Sequence, residues 1–520
     1  FLQAAGLNIL VDCGMEQGND VYENQELPIA ASDVDCILLT HAHIDHSGLI
    51  PLMYVNGFRG QVYSTSATAQ LCEIMLRDSA HIQMFEAEWR NRKAARSGGK
   101  LKEFVPLYDM DAAVNVCKQF VGCEYDRVYD IAEGIKIRFT DVGHLLGSAS
   151  IEVWATEKTE NGDVTEKIVF SGDIGNINKP IIKDPKHVRD ADYVVMESTY
   201  GNRSHGGTPN YVEDLTDIFK RTFERGGNVV IPSFAVGRTQ ELLYIIRKIK
   251  EDNLVGRDFD VYMDSPLAIE ATNIFIKNVE SCFDDDAVEL VRKGINPLSF
   301  PGLKYATTGD ESKQINFDPN PKVIISSSGM CEAGRIRHHL KHNLWRPECT
   351  IVFVGYQAVG TTGRIIVDGA EEIKLFGEPI QIKAEIVQLK GSSGHADKDG
   401  LLCWINAFDT KPKKVFVVHG EDSVCDEFTE CLKEEYGYDA MAPYTGGSYD
   451  LIADRVISEG VKERKTRRTT STQRGKTVFD RLVAAGKRLM TVITHNEGGT
   501  NKDLAKFTDQ INALCDKWDR

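Results

Sequence analysis

Cys36-Ile37-Leu38-Leu39-Thr40-His41-Ala42-His43-Ile44-Asp45-His46 is the stretch from which the rest of this chain is read. Its first five residues form an apolar run of strand length, and the next six hold three imidazoles and a carboxylate. A buried strand that stops abruptly splays the loop behind it, so that neighbouring side chains face different ways. His41 and His43 then reach one metal ion, and Asp45 and His46 reach a second. Imidazole nitrogen and carboxylate oxygen without thiolate suit zinc kept open for catalysis better than a closed structural site. A polar loop with merely solvated histidines is the alternative, and three histidines at these offsets weigh against it.

A pair of ions needs ligands from elsewhere, and similar strand ends supply them. Ile135-Lys136-Ile137-Arg138-Phe139-Thr140 alternates as a half-buried strand does and runs into Asp141-Val142-Gly143-His144. Ile168-Val169-Phe170 ends in Ser171-Gly172-Asp173, and Val415-Phe416-Val417-Val418 runs into His419-Gly420-Glu421. His144 completes the first shell, Asp173 bridges both ions with its two oxygens, and His419 is the last ligand of the second. Each is weak alone, because a polar residue after a strand is common. Their recurrence at the ends of β-rich runs is the argument.

These residues, in this order, resemble the metallo-β-lactamase superfamily, whose leading Asp matches Asp12 in Leu10-Val11-Asp12-Cys13-Gly14. The chain is further similar to the β-CASP branch, nucleases that include the pre-mRNA 3′-end-processing endonuclease and RNase J. Its marks are Glu197 in Val194-Val195-Met196-Glu197-Ser198-Thr199-Tyr200-Gly201, His395 in Ser393-Gly394-His395-Ala396-Asp397, and His419 itself. Pro232-Ser233-Phe234-Ala235-Val236-Gly237-Arg238 and Gly355-Tyr356-Gln357-Ala358-Val359-Gly360-Thr361 also look typical of that family. The resemblance spans roughly residues 1–450.

It implies an α/β protein: a metallo-β-lactamase αββα sandwich with an inserted α/β β-CASP domain. It implies two zinc ions per chain, held by His41, His43, Asp45, His46, His144, Asp173 and His419. The catalytic set is Asp45, His395 and Glu197. His395 is the general acid for the leaving oxygen, while Glu197 orients it and favours its charged form. Asp12 stands behind the ligands and orients one of them or the hydroxide. The expected activity is hydrolysis of single-stranded RNA at internal phosphodiesters by a hydroxide between the metals, leaving a 5′-phosphate. Three alternatives stay open: a 5′-exoribonuclease of the same fold, a small-molecule metallo-hydrolase, and a non-catalytic RNA-binding subunit. His419 favours RNA as substrate, and DNA is not excluded.

Length and composition fit. A chain of 520 residues has room for two or three domains with substantial cores. No apolar run approaches the ~20 residues of a membrane span, so no membrane partner is expected. The twelve scattered cysteines read as reduced thiols, hence a cytoplasmic protein. A net charge of −16 argues against a generally sticky nucleic-acid binder. Basic residues nevertheless gather at 90–102 (Arg90, Arg92, Lys93, Arg96, Lys100, Lys102) and at 462–476, where either phosphate contact or a solvated loop is the reading.

The ligand positions divide the chain into a first sandwich part at 1–204, an insert at 205–385, a second sandwich part at 386–451 and an extension at 452–520. Within the insert, Asn228–Pro232 and Val323–Ser326 read as buried strands, and Thr239–Lys250 as a helix. This alternation predicts a parallel sheet. The extension holds a helix near 477–490 and a final helix after Gly498-Gly499. Leu504, Phe507, Ile511, Leu514 and Trp518 form a seam there that is expected to pack on its own chain, with a homodimer contact as the second choice.

Overall fold

In the computed structural model the described residues are 1–15, 27–96, 104–160, 162–206, 210–389, 393–462, 478–498 and 500–518. The basic stretch at 462–476 falls outside them after Lys462, as do Lys100 and Lys102.

Period-two alternation builds the sandwich. Leu7–Val11, Cys36–Leu38, Gln61–Thr65 and Phe120–Cys123 pair in parallel in that order, with Leu2–Ala4 antiparallel at the edge. Ile9 and Leu38 point to the second sheet, whereas their neighbours Leu10 and Ile37 point to the helices outside. The second sheet is an antiparallel meander, Val128–Ala132, Ile135–Asp141, Ala149–Thr159 and Gly162–Phe170. Tyr193–Met196, Lys414–Val417 and Ala440–Met441 extend it in parallel. Ile137, Phe139, Ile151 and Val153 fill the space between the sheets. Helices Ser66–Arg96 and Met110–Cys117 cover the outer face of the first sheet, and Lys398–Ile405 and Asp422–Glu434 that of the second. This is the expected αββα sandwich.

Trp404, on Lys398–Ile405, is 1 % exposed against Val194, Met196 and Phe428. Trp404→Ala is expected to cost about 3–5 kcal/mol. A urea midpoint lowered at constant slope would show it, and equal midpoints would contradict this packing.

The insert is a six-stranded, all-parallel sheet in the order Leu303–Tyr305, Asp260–Asp264, Lys322–Ser326, Val229–Pro232, Thr350–Val354, Glu385–Leu389. Its central strands read as unbroken apolar runs because both faces are covered: Val229 and Ile231 on one side, Val230, Ile324 and Phe353 on the other. Arg238–Glu251 is the expected helix. The last strand, Glu385–Leu389, begins at the expected crossing and pairs with Thr350–Val354 before the chain returns to the sandwich. Insert residues Phe219 and Leu243 share one apolar cluster with Leu71 and Ala113 of the sandwich helices, so the two parts are packed together.

The tail departs from expectation. The final helix, Asn501–Trp518, buries none of its residues, and Leu514 and Trp518 are 54 % and 63 % exposed. Leu504, Phe507 and Ile511 of its seam are half-buried, so among the described residues the seam is covered only in part. An apolar seam fixes which face of a helix can pack, but not whether another part of the chain reaches it. The preceding helix, Val478–His495, approaches Ala31–Asp33. Among the described residues no helix is long and apolar enough to cross a membrane.

Candidate metal centre

The histidine loop is strapped from below. Asp12 has φ +59, a left-handed conformation that Asp tolerates better than most residues. Its Oδ1 accepts from the Thr40 N–H at 2.8 Å, and its Oδ2 from Thr40 Oγ1 at 2.8 Å and His46 Nδ1 at 2.6 Å. The Cys13 N–H donates to the His46 carbonyl at 2.7 Å, and the Met15 N–H to that of Ile44 at 3.0 Å. Gly14 lies so close to the loop that a Cβ there would sit 1.5 Å from the Asp45 carbonyl oxygen. Gly14→Ala is therefore expected to leave the far-UV circular dichroism unchanged while lowering metal stoichiometry. Full metal content in that variant would overturn the strap.

Two donor groups form around Asp173. His41 Nε2 and His144 Nε2 lie 3.0 and 3.2 Å from His43 Nδ1, and 3.4 and 3.5 Å from Asp173 Oδ2. A tetrahedral zinc with ligand bonds of ~2.0–2.1 Å separates its donors by about 3.3 Å, close to these values. On the far side of each ring, His41 Nδ1 meets Thr40 Oγ1 at 3.1 Å, and His144 Nδ1 donates to the Gly394 carbonyl at 3.1 Å. Such contacts fix the tautomer that points Nε2 at a metal. Asp45, His46 and His419 form the second group. The other oxygen, Asp173 Oδ1, is 3.2 Å from His46 Nε2 and 3.3 Å from His419 Nε2.

The residues fit a cation pair. His46 Nε2 and Asp173 Oδ1, though 3.2 Å apart, are buried without a well-aligned hydrogen bond among the described residues, and buried polar atoms are seldom left so. Burial and the neighbouring imidazoles push His41 and His144 well below the ordinary histidine range, and burial lowers His43. These three rings are therefore neutral, as ligation requires. Burial opposes charge on His46, but Asp173 and Asp12 outweigh it and hold its pKa well above normal. Burial likewise opposes ionisation of Asp173, and the imidazoles around it, His46 and His419 foremost, outweigh that.

A third group stands beside the first two. The Ala396 N–H donates to the Ile174 carbonyl at 2.7 Å and the Asn176 N–H to that of Gly394 at 3.2 Å, pinning His395 next to Asp173. His395 Nδ1 is 3.2 Å from Glu197 Oε2 and 3.8 Å from Asp173 Oδ2. Glu197 is 1 % exposed and accepts from the N–H groups of Ile174 and Thr199. Burial disfavours the His395 charge, yet Glu197 and Asp173 overcome it and raise the pKa to about 9.

Thus Asp12, His41, His43, Asp45, His46, His144, Asp173, Glu197, His395 and His419 all gather at one place. The unassigned histidines go elsewhere. His81 is exposed on its helix, His338 stacks on Phe376, and His339 is buried against Asp264 inside the insert. His205 lies nearer, with Nε2 3.2 Å from the His395 carbonyl. Lys179 carried no signal in the sequence. Its Nζ donates to the His144 carbonyl at 3.0 Å and pairs with Glu241 of the insert at 3.2 Å, while Arg238 also pairs with Glu241. This tie joins the insert to the ligand loop.

Residues 1–176 match the metallo-beta-lactamase superfamily domain, 239–366 the Beta-Casp domain, and 379–443 the Zn-dependent metallo-hydrolase RNA specificity domain. The chain is 34 % identical over 423 residues to a ribonuclease of Thermus thermophilus, covering 81 % of this chain and 90 % of that protein. It is 32 % identical over 450 residues to transcription termination factor FttA of Methanosarcina mazei, covering 84 % of this chain and 66 % of the factor. For the Thermococcus kodakarensis factor of the same name the figures are 29 % over 419 residues, 79 % and 61 %. The chain belongs to the metallo-β-lactamase superfamily, in the β-CASP branch of RNA-processing nucleases, and is a metal-dependent hydrolase.

Proposed function

We propose that this chain is a zinc-dependent endoribonuclease that cuts single-stranded RNA internally and leaves a 5′-phosphate. The observation that carries the reading is the His395–Glu197 pair standing beside Asp173, which suits His395 to give up a proton there. The ligand set is His41, His43, His144 and Asp173 for one ion, and Asp45, His46, His419 and Asp173 for the other. Bound there, two zinc ions supply a water nucleophile of depressed pKa and neutralise charge on the phosphate.

The chain's own residues do the rest. Asp12 and Thr40 hold the ligand rings in register. When the P–O3′ bond breaks, the leaving 3′-oxygen needs a proton. With Nδ1 occupied by Glu197, His395 delivers it from Nε2, and a pKa of about 9 keeps that proton in place at neutral pH. Lys179 and Glu241 hold the insert against the site. Exposed Phe234 and Tyr356 stand just past the carboxyl ends of adjacent insert strands, where open α/β sheets take ligands. The name ribonuclease among the relatives favours RNA as the substrate.

The test is cleavage of a 5′-labelled single-stranded RNA by zinc-loaded protein. Internal fragments are expected, abolished by a chelator and restored by zinc. Mononucleotides released from the 5′ end would replace this reading with an exonuclease.

A further inference from the structure

The helix Ser66–Arg96 extends well beyond the sheet it covers, and its far half has two unlike faces. One is tied down by the returning chain. Ser79 Oγ meets Tyr108 Oη at 2.8 Å, Gln83 Oε1 accepts from the Leu107 N–H at 3.2 Å, and Asn91 bonds both N–H and C=O of Phe104 at 2.8 and 2.9 Å. Ala87, on this face, is 4 % exposed. The opposite face carries Ile82, Phe85 and Trp89, which are 49 %, 59 % and 52 % exposed, and then Arg92, Lys93 and Arg96, also exposed. The spacing of three and four residues aligns all six along one stripe of about 21 Å.

Apolar residues alone would leave the occupant open. Here the stripe passes from aromatic to cationic without a break, in a chain whose net charge is −16. Lys93 Nζ lies 5.1 Å from the Trp89 ring centroid. Glu86, beside the stripe, is neutralised by Arg90, which leaves Glu88 as the flanking acid. Aromatic faces that stack bases, continued by cations that meet phosphates, are how sequence-tolerant single-strand sites are built.

We propose that this stripe is a secondary binding site for single-stranded RNA, in which Phe85 and Trp89 stack bases and Arg92, Lys93 and Arg96 contact the backbone. The proposal rests on the ribonuclease reading and adds to it: RNA long enough to reach the helix is held in two places. A short substrate engages the metal centre alone.

The test compares a short and a long oligouridylate, about four and thirty nucleotides, for cleavage and for binding by fluorescence anisotropy. Two variants are used, Phe85→Ala/Trp89→Ala and Arg92→Glu/Lys93→Glu/Arg96→Glu. Each is expected to raise KM for the long RNA about tenfold or more and to leave kcat/KM for the short one unchanged. The charge variant should also reduce the salt dependence of long-RNA binding by about two log units per log unit of salt. Equal KM for long RNA in wild type and both variants overturns the proposal. So does a change of oligomeric state in the aromatic variant without a change in KM, which would assign the stripe to a second copy. Failure of the wild type to cleave either RNA overturns the ribonuclease reading instead.

Discussion

On the proposed mechanism, His395→Ala is expected to lower kcat on single-stranded RNA by about 10²–10⁴-fold while leaving the metal content unchanged, because it would remove a proton donor and no ligand. The ring is held by Glu197 at 3.2 Å and stands 3.8 Å from Asp173, beside the ligand groups. On the proposed role His395 acts in its charged form, which Glu197 favours, so activity should hold at neutral pH and fall in the alkaline range as that proton is lost. Burial opposes that charge, and Glu197 is the first of the groups that overcome it. Removing the carboxylate in Glu197→Gln should move the alkaline limb to lower pH, with zinc content intact. The readouts are kcat against pH and metal content per chain. An His395→Ala enzyme with wild-type kcat, or one that has lost a metal, would contradict the role.

Asp173→Asn should cost metal as well as activity. Its two oxygens face different donor groups, at 3.4–3.5 Å from the His41 and His144 nitrogens and 3.2–3.3 Å from those of His46 and His419. On the proposed ligand set, loss of the charge would remove the group shared by two ions, so zinc content should fall below two per chain and cleavage should vanish. Zinc at 100–1,000 times its dissociation constant stabilises a folded protein by about 2.7–4.1 kcal/mol. The wild type should show that rise in Tm on zinc addition, His395→Ala should keep it, and Asp173→Asn should lose most of it. Two tightly held ions in Asp173→Asn would remove the bridging assignment. Together the two variants separate binding of the metals from transfer of the proton.

The sequence was legible where chemistry and local order coincide. Four of the gathered side chains lie within His41–His46, and His144, Asp173, Glu197 and His419 each come within three residues of a strand's end. Strand ends on one edge of a sheet share a surface, so residues far apart in the chain could be expected together. His395 had no such strand directly before it, and its place came from the resemblance to a family; the main-chain bonds to Ile174 and Asn176 that pin it belong to the fold. The parallel sheet of the insert was legible for a simpler reason, since strands covered on both faces read as unbroken apolar runs.

What the sequence concealed depends on contacts between distant segments. Lys179 is one lysine among many until Glu241 and the His144 carbonyl close around it. The basic residues at 90–96 became informative only when the returning segment at 104–108 showed which face of their helix is covered. The seam of the final helix was read only in part, because its spacing states a preference that the described chain meets at Leu504, Phe507 and Ile511 and leaves open at Leu514 and Trp518.

The most direct test of the central claim is a covalently closed single-stranded RNA circle incubated with zinc-loaded protein. A circle offers no 5′ end, so only an internal cut can open it. The expected result is linear RNA with a 5′-phosphate, absent after chelation and strongly reduced in His395→Ala. An intact circle, under conditions in which a linear RNA of the same sequence is consumed from its 5′ end, would contradict the endonuclease account.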